Sequence, residues 1–284
     1  MIVVTGQTAA GKTKLAIEYA KRVNGQIINC DSRQIYKYLD IVTGKDMDLF
    51  KKNKISIHLY DIVDPKEYFS SYDYVLRAKK NIKQILLQGK TPIIVGGTYL
   101  YLKHLLYGFD TENIKADWSL RKQLEQKSTK ELQKMLKNLS VQMFKQLNAS
   151  DINNSRRLIR KIEIAKARPL TDQFATSLIK RYKIDIIGLR YKNKNNLLKA
   201  IKKRVEKRIK QGAVKEVANL LNSGYTLDDP GLKTIGCREI VQYISGEITE
   251  DELIQKWITI ETNYAKRQYT FMKKDSNIKW IDIY

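Results

Sequence analysis

An α/β fold, with a parallel sheet flanked by helices and a helical insertion, is predicted by three features of this sequence. Short apolar strands alternate with helical stretches over the first hundred residues. A glycine-rich turn ending in Lys-Thr separates the first strand from the first helix. The stretch from 112 to 181 is polar and helical in texture, after which a strand-like segment returns. Strands alternating with helices are the signature of a parallel sheet covered on both faces.

The elements follow in order. Ile2 to Thr5 is an apolar run read as a strand, and from Lys12 to Val23 the residues Leu15, Tyr19 and Val23 recur every four positions, with Ala16 and Ala20 widening the same helical face. Gln26-Ile27-Ile28-Asn29-Cys30 follows Gly25 and stops at Asp31, completing a βαβ unit. Asp73 to Leu87 reads as a helix closed by Gly89, and Thr91 to Val95 as a third strand ending in Gly96-Gly97-Thr98. Within the insertion, Ser128 to Leu139 and Asn154 to Arg168 read as helices. Lys183 to Leu189 then reads as a strand rejoining the sheet, Leu197 to Leu221 as one long helix, and Ile278 to Ile283 as a last strand. The expected division is a catalytic core of 1–111 and 182–284 around a helical insertion domain of 112–181.

Composition narrows the function. With 43% hydrophobic residues in 284, the chain has apolar material for one or two packed cores. Its longest apolar runs, such as Pro92 to Val95, fall far short of the ~20 residues of a membrane-spanning helix. Cys30 and Cys237 have no CxxC partner, which disfavours a disulfide scaffold or a local zinc site, and the start Met1-Ile2-Val3 lacks a basic leader. A reducing, cytoplasmic location is expected. The formal charge of +23, from 53 Lys+Arg against 30 Asp+Glu, is spread along the chain and points to a polyanionic partner, with a general lysine-rich bias as the alternative.

The sharpest signal is Gly6-Gln7-Thr8-Ala9-Ala10-Gly11-Lys12-Thr13, a complete G-x-x-x-x-G-K-[ST] between strand and helix. Glycines let such a loop curl so that backbone N–H groups point inward at a di- or triphosphate. The helix N-terminus adds positive potential, Lys12 a point charge, and Thr13 a hydroxyl that can reach Mg2+. The fold is therefore expected to be P-loop NTPase-like. Where ATP is hydrolysed an apolar strand usually ends in Asp or Asp-Glu, but the strand Ile93 to Val95 ends in Gly96-Gly97-Thr98 and Asp31 is the one candidate of that kind. Asp31, at the end of the second strand, is the candidate general base or metal ligand, with a helix N-cap as its alternative role. His58 and His104 lack acidic partners at ligand spacing and are assigned to structure.

Together these motifs resemble the tRNA dimethylallyltransferase (tRNA isopentenyltransferase) family, bacterial type. Asp31-Ser32-Arg33-Gln34-Ile35-Tyr36 is similar to its DSxQ-x-Y motif, His58 to Pro65 to its HHL-D-P segment, and Gly96-Gly97-Thr98-Tyr99-Leu100-Tyr101 to its GGT-x-LY motif. Asn154 to Glu163 resembles the RR-x-x-RA-x-E block, Arg204 to Arg208 the R-I-x-x-R helix, Thr234 to Glu239 the IG-[YC]-[KR]-E turn, and Tyr264 to Gln268 the AKRQ block. Tyr99 stands where the family often has glycine, which puts a tight backbone approach there in question. Thr43-Gly44-Lys45-Asp46 follows the family's GT-x-KP only loosely, and the chain stops at Tyr284 without the zinc finger of longer eukaryotic members.

The resemblance implies transfer of a dimethylallyl group from dimethylallyl pyrophosphate to N6 of adenosine 37 beside the tRNA anticodon, by a monomer. Gly6 to Thr13 would hold the pyrophosphate, with Mg2+ at Thr13. Lys12 and Arg208 would neutralise the leaving oxygens, Asp31 would accept the amine proton, and Thr98 would orient Asp31 or the pyrophosphate. Arg208 is preferred to Arg204 on the resemblance alone, although the two are one helical turn apart. The implied tRNA contacts are Asp31, Ser32, Arg33, Gln34, Thr98, Arg121, Arg156, Arg157, Leu158, Ile159, Arg160, Lys233, Thr234, Ile235, Gly236, Cys237 and Arg238, with Gln34 reading the adenine edge. A solvated helix face remains the alternative for the arginines. Rival functions are an adenylate isopentenyltransferase or small-molecule kinase, an RNA-stimulated ATPase, and a non-catalytic RNA-binding protein.

Overall fold

The computed structural model describes residues 1–108, 114–167 and 177–284. They form two compact units, Met1–Tyr107 with Leu178–Tyr284, and Gly108–Ser177. The expected boundary at 111–112 and the end of the expected helix at Arg168 lie outside the described residues.

The large unit runs β1 (Ile2–Gly6), α1 (Lys12–Arg22), β2 (Gly25–Asn29), α2 (Met47–Lys52), β3 (Ile57–His58), α3 (Ser71–Leu87), β4 (Thr91–Val95) and α4 (Tyr99–Tyr107). The small unit supplies α5 (Trp118–Glu125), α6 (Thr129–Leu139), α7 (Val141–Lys145), α8 (Ala149–Ile152) and α9 (Ser155–Lys166). The chain then returns as α10 (Leu178–Arg181), β5 (Asp185–Tyr191), α11 (Lys194–Lys210), α12 (Ala213–Asn222), α13 (Cys237–Ile244), α14 (Glu250–Met272) and β6 (Ile278–Ile283).

Six strands form one all-parallel sheet in the order β3-β2-β4-β1-β5-β6. Every residue of β1 is buried, as expected for a strand covered on both faces. Ile2 and Val4 pack with Ala16, Ile17 and Ala20 of α1 and with Ile27, Ile93 and Ile187 from neighbouring strands. A second core gathers Leu197, Ile201 and Val205 of α11, Val217 and Leu220 of α12, Ile240 of α13 and Leu253, Trp257, Ile258 and Ala265 of α14. The order matters for function: β4 lies between β2 and β1, so the loops leaving the C-terminal ends of these strands are neighbours, the usual place for a ligand in an open α/β sheet.

One expected element is corrected. The single helix over Leu197 to Leu221 is two, α11 and α12, because Gly212 takes φ +99° and caps the second. In the small unit, Leu124, Leu132, Leu136, Leu158, Ile159 and Ile162 make a separate core. Among the described residues, no helix is long and apolar enough to cross a membrane.

Candidate active site

The phosphate loop begins where β1 ends. Gly6 takes φ +123°, and a Cβ there would fall on the Leu189 backbone of β5, so only glycine permits this turn beside the neighbouring strand. The loop is then tied down from outside. Gln7 N–H donates to Leu189 O at 3.0 Å, Thr8 N–H to Gln268 Oε1 at 2.8 Å, and the Tyr191 hydroxyl to Ala9 O at 3.0 Å. These bonds narrow the expected cradle, because Gln7 and Thr8 spend their N–H groups on protein acceptors. The N–H groups of Ala9, Ala10, Gly11, Lys12 and Thr13 bond to no acceptor among the described residues. Ala9 at φ +60° and Gly11 at φ +78° turn this stretch into a concave set of donors at the start of α1.

Cations gather around that donor set. Lys12 Nζ, folded back on the loop, donates to Gln7 O at 2.7 Å and Gly6 O at 3.3 Å. Burial and the Arg204 charge push its ammonium down to about 8, against the attraction of Asp31, Glu261 and Asp46. Arg204 and Arg208, one turn apart on α11, both pack against the backbone of Gly44. Arg208 Nη1 donates to Glu261 Oε2 at 3.0 Å and Nη2 to Thr43 O at 3.2 Å, while Arg204 Nε stands 3.6 Å from Glu261 Oε1, an ion pair without a hydrogen bond. Burial and Arg204 push Arg208 down to about 10. The Nε atoms of both arginines are buried with no hydrogen-bond partner among the described residues. The two arginines thus share one buried carboxylate, Glu261, whose Oε1 also accepts from Thr8 Oγ1 at 3.0 Å. Such a cluster has capacity for an anion.

Asp31 leaves the end of β2. Its N–H donates to Asn29 Oδ1 at 2.9 Å and its Oδ1 accepts from Arg33 N–H at 2.9 Å, leaving Oδ2 with no hydrogen bond among the described residues. Thr98 contacts the next residue instead of the carboxylate: its Oγ1 accepts from Ser32 N–H at 2.9 Å and donates to Ser32 Oγ at 3.2 Å, and its N–H donates to Cys30 O at 3.2 Å. Thr98 thus holds Ser32 and Cys30, the residues on either side of Asp31. Arg33 Nη1 donates to Pro230 O at 3.0 Å. Gln34 gives both amide hydrogens to the protein, at Thr43 O (3.2 Å) and Gly44 O (3.0 Å), so only its Oε1 is left to meet a base.

Tyr99, the departure from the glycine pattern, opens α4 and donates its hydroxyl to Asp275 Oδ2 at 3.0 Å. The close backbone approaches in this motif are at Gly96, against Cys30 O, and Gly97, against Gln268, so a tyrosine at 99 leaves them intact.

The expected tRNA contacts differ in burial. Leu158 and Ile159 belong to the small unit's core. Thr234 is buried and donates to Gly231 O at 2.8 Å, Gly236 and Cys237 are buried, and burial pushes the Cys237 thiol up to about 12. Ile235 is half-buried, while Lys233 and Arg238 are exposed. Arg121 and Arg160 are partly exposed but bind Glu163: Arg121 Nε to Oε1 at 3.0 Å, Nη2 to Oε2 at 2.7 Å, and Arg160 Nη1 also to Oε2. Arg157 is exposed and paired with Asp151, and Arg156 is exposed with no partner among the described residues.

The IPP transferase family model matches residues 34–275. A tRNA dimethylallyltransferase of Caldanaerobacter subterraneus is 37% identical over 99% of this chain and 91% of its own length. The chain belongs to the IPP transferase family. A tRNA isopentenylpyrophosphate transferase of Bacillus halodurans superposes with TM-score 0.72 at 32% identity, covering 99% of this chain and 89% of that one. A eukaryotic dimethylallyltransferase, solved acting on tRNA, superposes with TM-score 0.80 at 26% identity, over 99% of this chain and 73% of that one. The P-loop NTPase-like fold of these IPP transferases is the fold of this chain.

Two residues that motif reading passed over as site groups, Glu261 and Gln268, lie on α14 along one buried face with Leu253, Trp257, Ala265 and Met272. Their signal was a carboxylate and an amide at core positions of an otherwise apolar helical stripe.

Proposed function

We propose that this chain transfers the dimethylallyl group of dimethylallyl diphosphate to N6 of adenosine 37 in tRNA. One observation carries the reading: Arg204 and Arg208, whose buried Nε atoms make no hydrogen bond among the described residues, and Lys12 converge beside N–H groups of residues 9–13 that bond to no acceptor there. A diphosphate leaving group supplies the missing anionic charge.

The chemistry follows from these positions. The allylic C1–O bond breaks and its electron pair leaves on the diphosphate oxygen, where Lys12, Arg204, Arg208 and the loop N–H groups stabilise the growing charge. The N6 lone pair forms the new bond to C1, and the N6 proton passes to the Asp31 carboxylate, whose Oδ2 has no competing hydrogen bond among the described residues. The adenine must leave the stack of its loop to reach this site, at a cost offset by contacts to the surrounding RNA. Of the basic residues implied as tRNA contacts, Arg156, Arg157, Lys233 and Arg238 are exposed.

Magnesium fits the residues present. Thr13 is a hard hydroxyl donor at the start of α1 with no hydrogen bond among the described residues, and no group of three or more His, Cys, Asp or Glu converges there to cage a metal. An ion held by Thr13 and the diphosphate itself would add further neutralisation of the leaving group.

The test is to incubate the protein with unmodified tRNA and labelled dimethylallyl diphosphate and to analyse the nucleosides by mass spectrometry. N6-prenylated adenosine is expected. Its absence from folded protein, or ATP turnover that rises with RNA, overturns the reading. Asp31→Ala is expected to slow turnover by ~10² with tRNA affinity nearly unchanged, and wild-type turnover in that variant removes Asp31 as the base.

A further inference from the structure

We propose that Gln268 is a positioning residue that couples the diphosphate loop to the turn carrying the base. The side chain is 5% exposed and sits on α14, remote in sequence from both loops. Its Oε1 accepts from Thr8 N–H at 2.8 Å and its Nε2 donates to Gly97 O at 3.0 Å. Backbone N–H can only donate and backbone C=O can only accept, so these two partners fix the amide's orientation. A Cβ at residue 97 would fall on Gln268 Nε2, so the glycine is what lets the amide come this close.

The linkage continues on each side. Toward the leaving group, Thr8 is held at both ends, its N–H by Gln268 and its Oγ1 by Glu261, which also binds Arg208. Toward the acceptor, Gly97 precedes Thr98, whose hydroxyl fixes Ser32 beside Asp31. One amide thus spans the two loops whose spacing sets the distance between the departing oxygen and the proton acceptor. An error of about 1 Å in such spacing costs on the order of 10²-fold in rate.

The inference rests on the transferase reading, and the experiment separates the two. Gln268→Glu keeps the shape and the acceptor toward Thr8 N–H, but when ionised it puts a second oxygen against Gly97 O in place of a donor. Protonation restores the donor, and burial raises the pH at which that happens. The measurement is kcat and KM for dimethylallyl diphosphate on tRNA between pH 6 and 9, with diphosphate affinity and thermal melting recorded alongside. At pH 9 kcat is expected to fall at least tenfold with KM changed less than threefold, and the variant-to-wild-type ratio of kcat is expected to recover severalfold toward pH 6. A ratio flat across pH, an undiminished kcat, or a loss confined to KM overturns the coupling. Should the glutamate variant not fold, Gln268→Met in a double-mutant cycle with Thr98→Val decides the matter: losses in kcat well short of multiplicative support the linkage, and independent losses overturn it. If wild-type protein makes no prenylated adenosine, the transferase reading itself fails.

Discussion

Arg208 donates to Glu261 across the gap between α11 and α14, Nη1 to Oε2 at 3.0 Å, with the two side chains only 7% and 5% exposed. Burial alone would push the Glu261 carboxyl up, but the Arg208 and Arg204 charges and the Thr8 hydroxyl outweigh it and hold the group below the usual carboxylate range. A single buried carboxylate therefore faces two guanidiniums.

Removing that charge should separate stability from affinity. Glu261→Gln keeps the shape but only one of the two acceptor oxygens that Thr8 and Arg208 use, and it removes the charge that both arginines face. The free protein is expected to lose about 3 kcal/mol, the scale for breaking a buried pair. Added diphosphate then supplies the missing negative charge. The rise in Tm on adding it should be larger in the variant than in wild type, and its affinity should be tighter. A variant with unchanged Tm, or with weaker diphosphate binding, contradicts this balance.

Lys12 makes binding pH-dependent. The free protein holds this ammonium at about 8, and an arriving anion raises it again. Between these two values the bound state carries the proton and the free state does not, so binding takes up a proton and affinity falls as pH rises above about 8. The check is calorimetry with a non-hydrolysable isoprenoid diphosphate at pH 7 to 10, in buffers of different ionisation enthalpy. Proton uptake near pH 9 is expected in wild type and should vanish in Lys12→Arg, whose side chain stays charged throughout.

The parts of this architecture legible in the sequence are those where one local pattern decides the structure. The strands at Ile2, Ile27, Ile93 and Ile186 are continuous apolar runs, and the phosphate loop is a motif whose residues lie side by side. Two things were hidden. Gly212 stops α11 through its backbone conformation, while the apolar positions from Leu197 to Leu221 keep a helical rhythm straight across it. The link from Thr8 to Gln268 spans 260 positions, and no local pattern encodes which core position of α14 meets which loop. In the arginine block the motif lists neighbouring residues as one unit, but helical geometry divides them: Leu158, Ile159 and Ile162 turn inward while Arg156 and Arg157 face water.

Glu163 should be a stability residue of the small unit. Its side chain is 2% exposed and accepts from Arg121, Arg160 and the Asp117 N–H. Burial would raise its carboxyl, but those hydrogen bonds outweigh it and hold it below the usual range. A depressed carboxyl contributes stability above its unfolded value, and the contribution disappears as pH falls through the folded value. Glu163→Gln is expected to cost about 3 kcal/mol at pH 7 and progressively less under acid, measured by urea unfolding from pH 7 to 3. A cost that does not shrink with acid assigns the residue's effect to packing.

Arg156 and Arg157 lie on the opposite side of the same helix from the core and are the residues through which α9 should meet RNA phosphate. Arg157 already spends part of its charge on Asp151, whereas Arg156 is exposed with no partner among the described residues, so the two are unequal. Each phosphate contact releases counterions and steepens the fall of affinity with salt by close to one unit in the log–log slope. Arg156→Gln should flatten the tRNA salt slope by about 1, Arg157→Gln by less, and neither should change the melting temperature measurably, since neither side chain is buried. Filter binding of unmodified tRNA from 50 to 300 mM salt reads the slope. If both variants keep the wild-type slope, the RNA contact lies elsewhere; if Arg157→Gln has the larger effect, the Asp151 pair must open on binding.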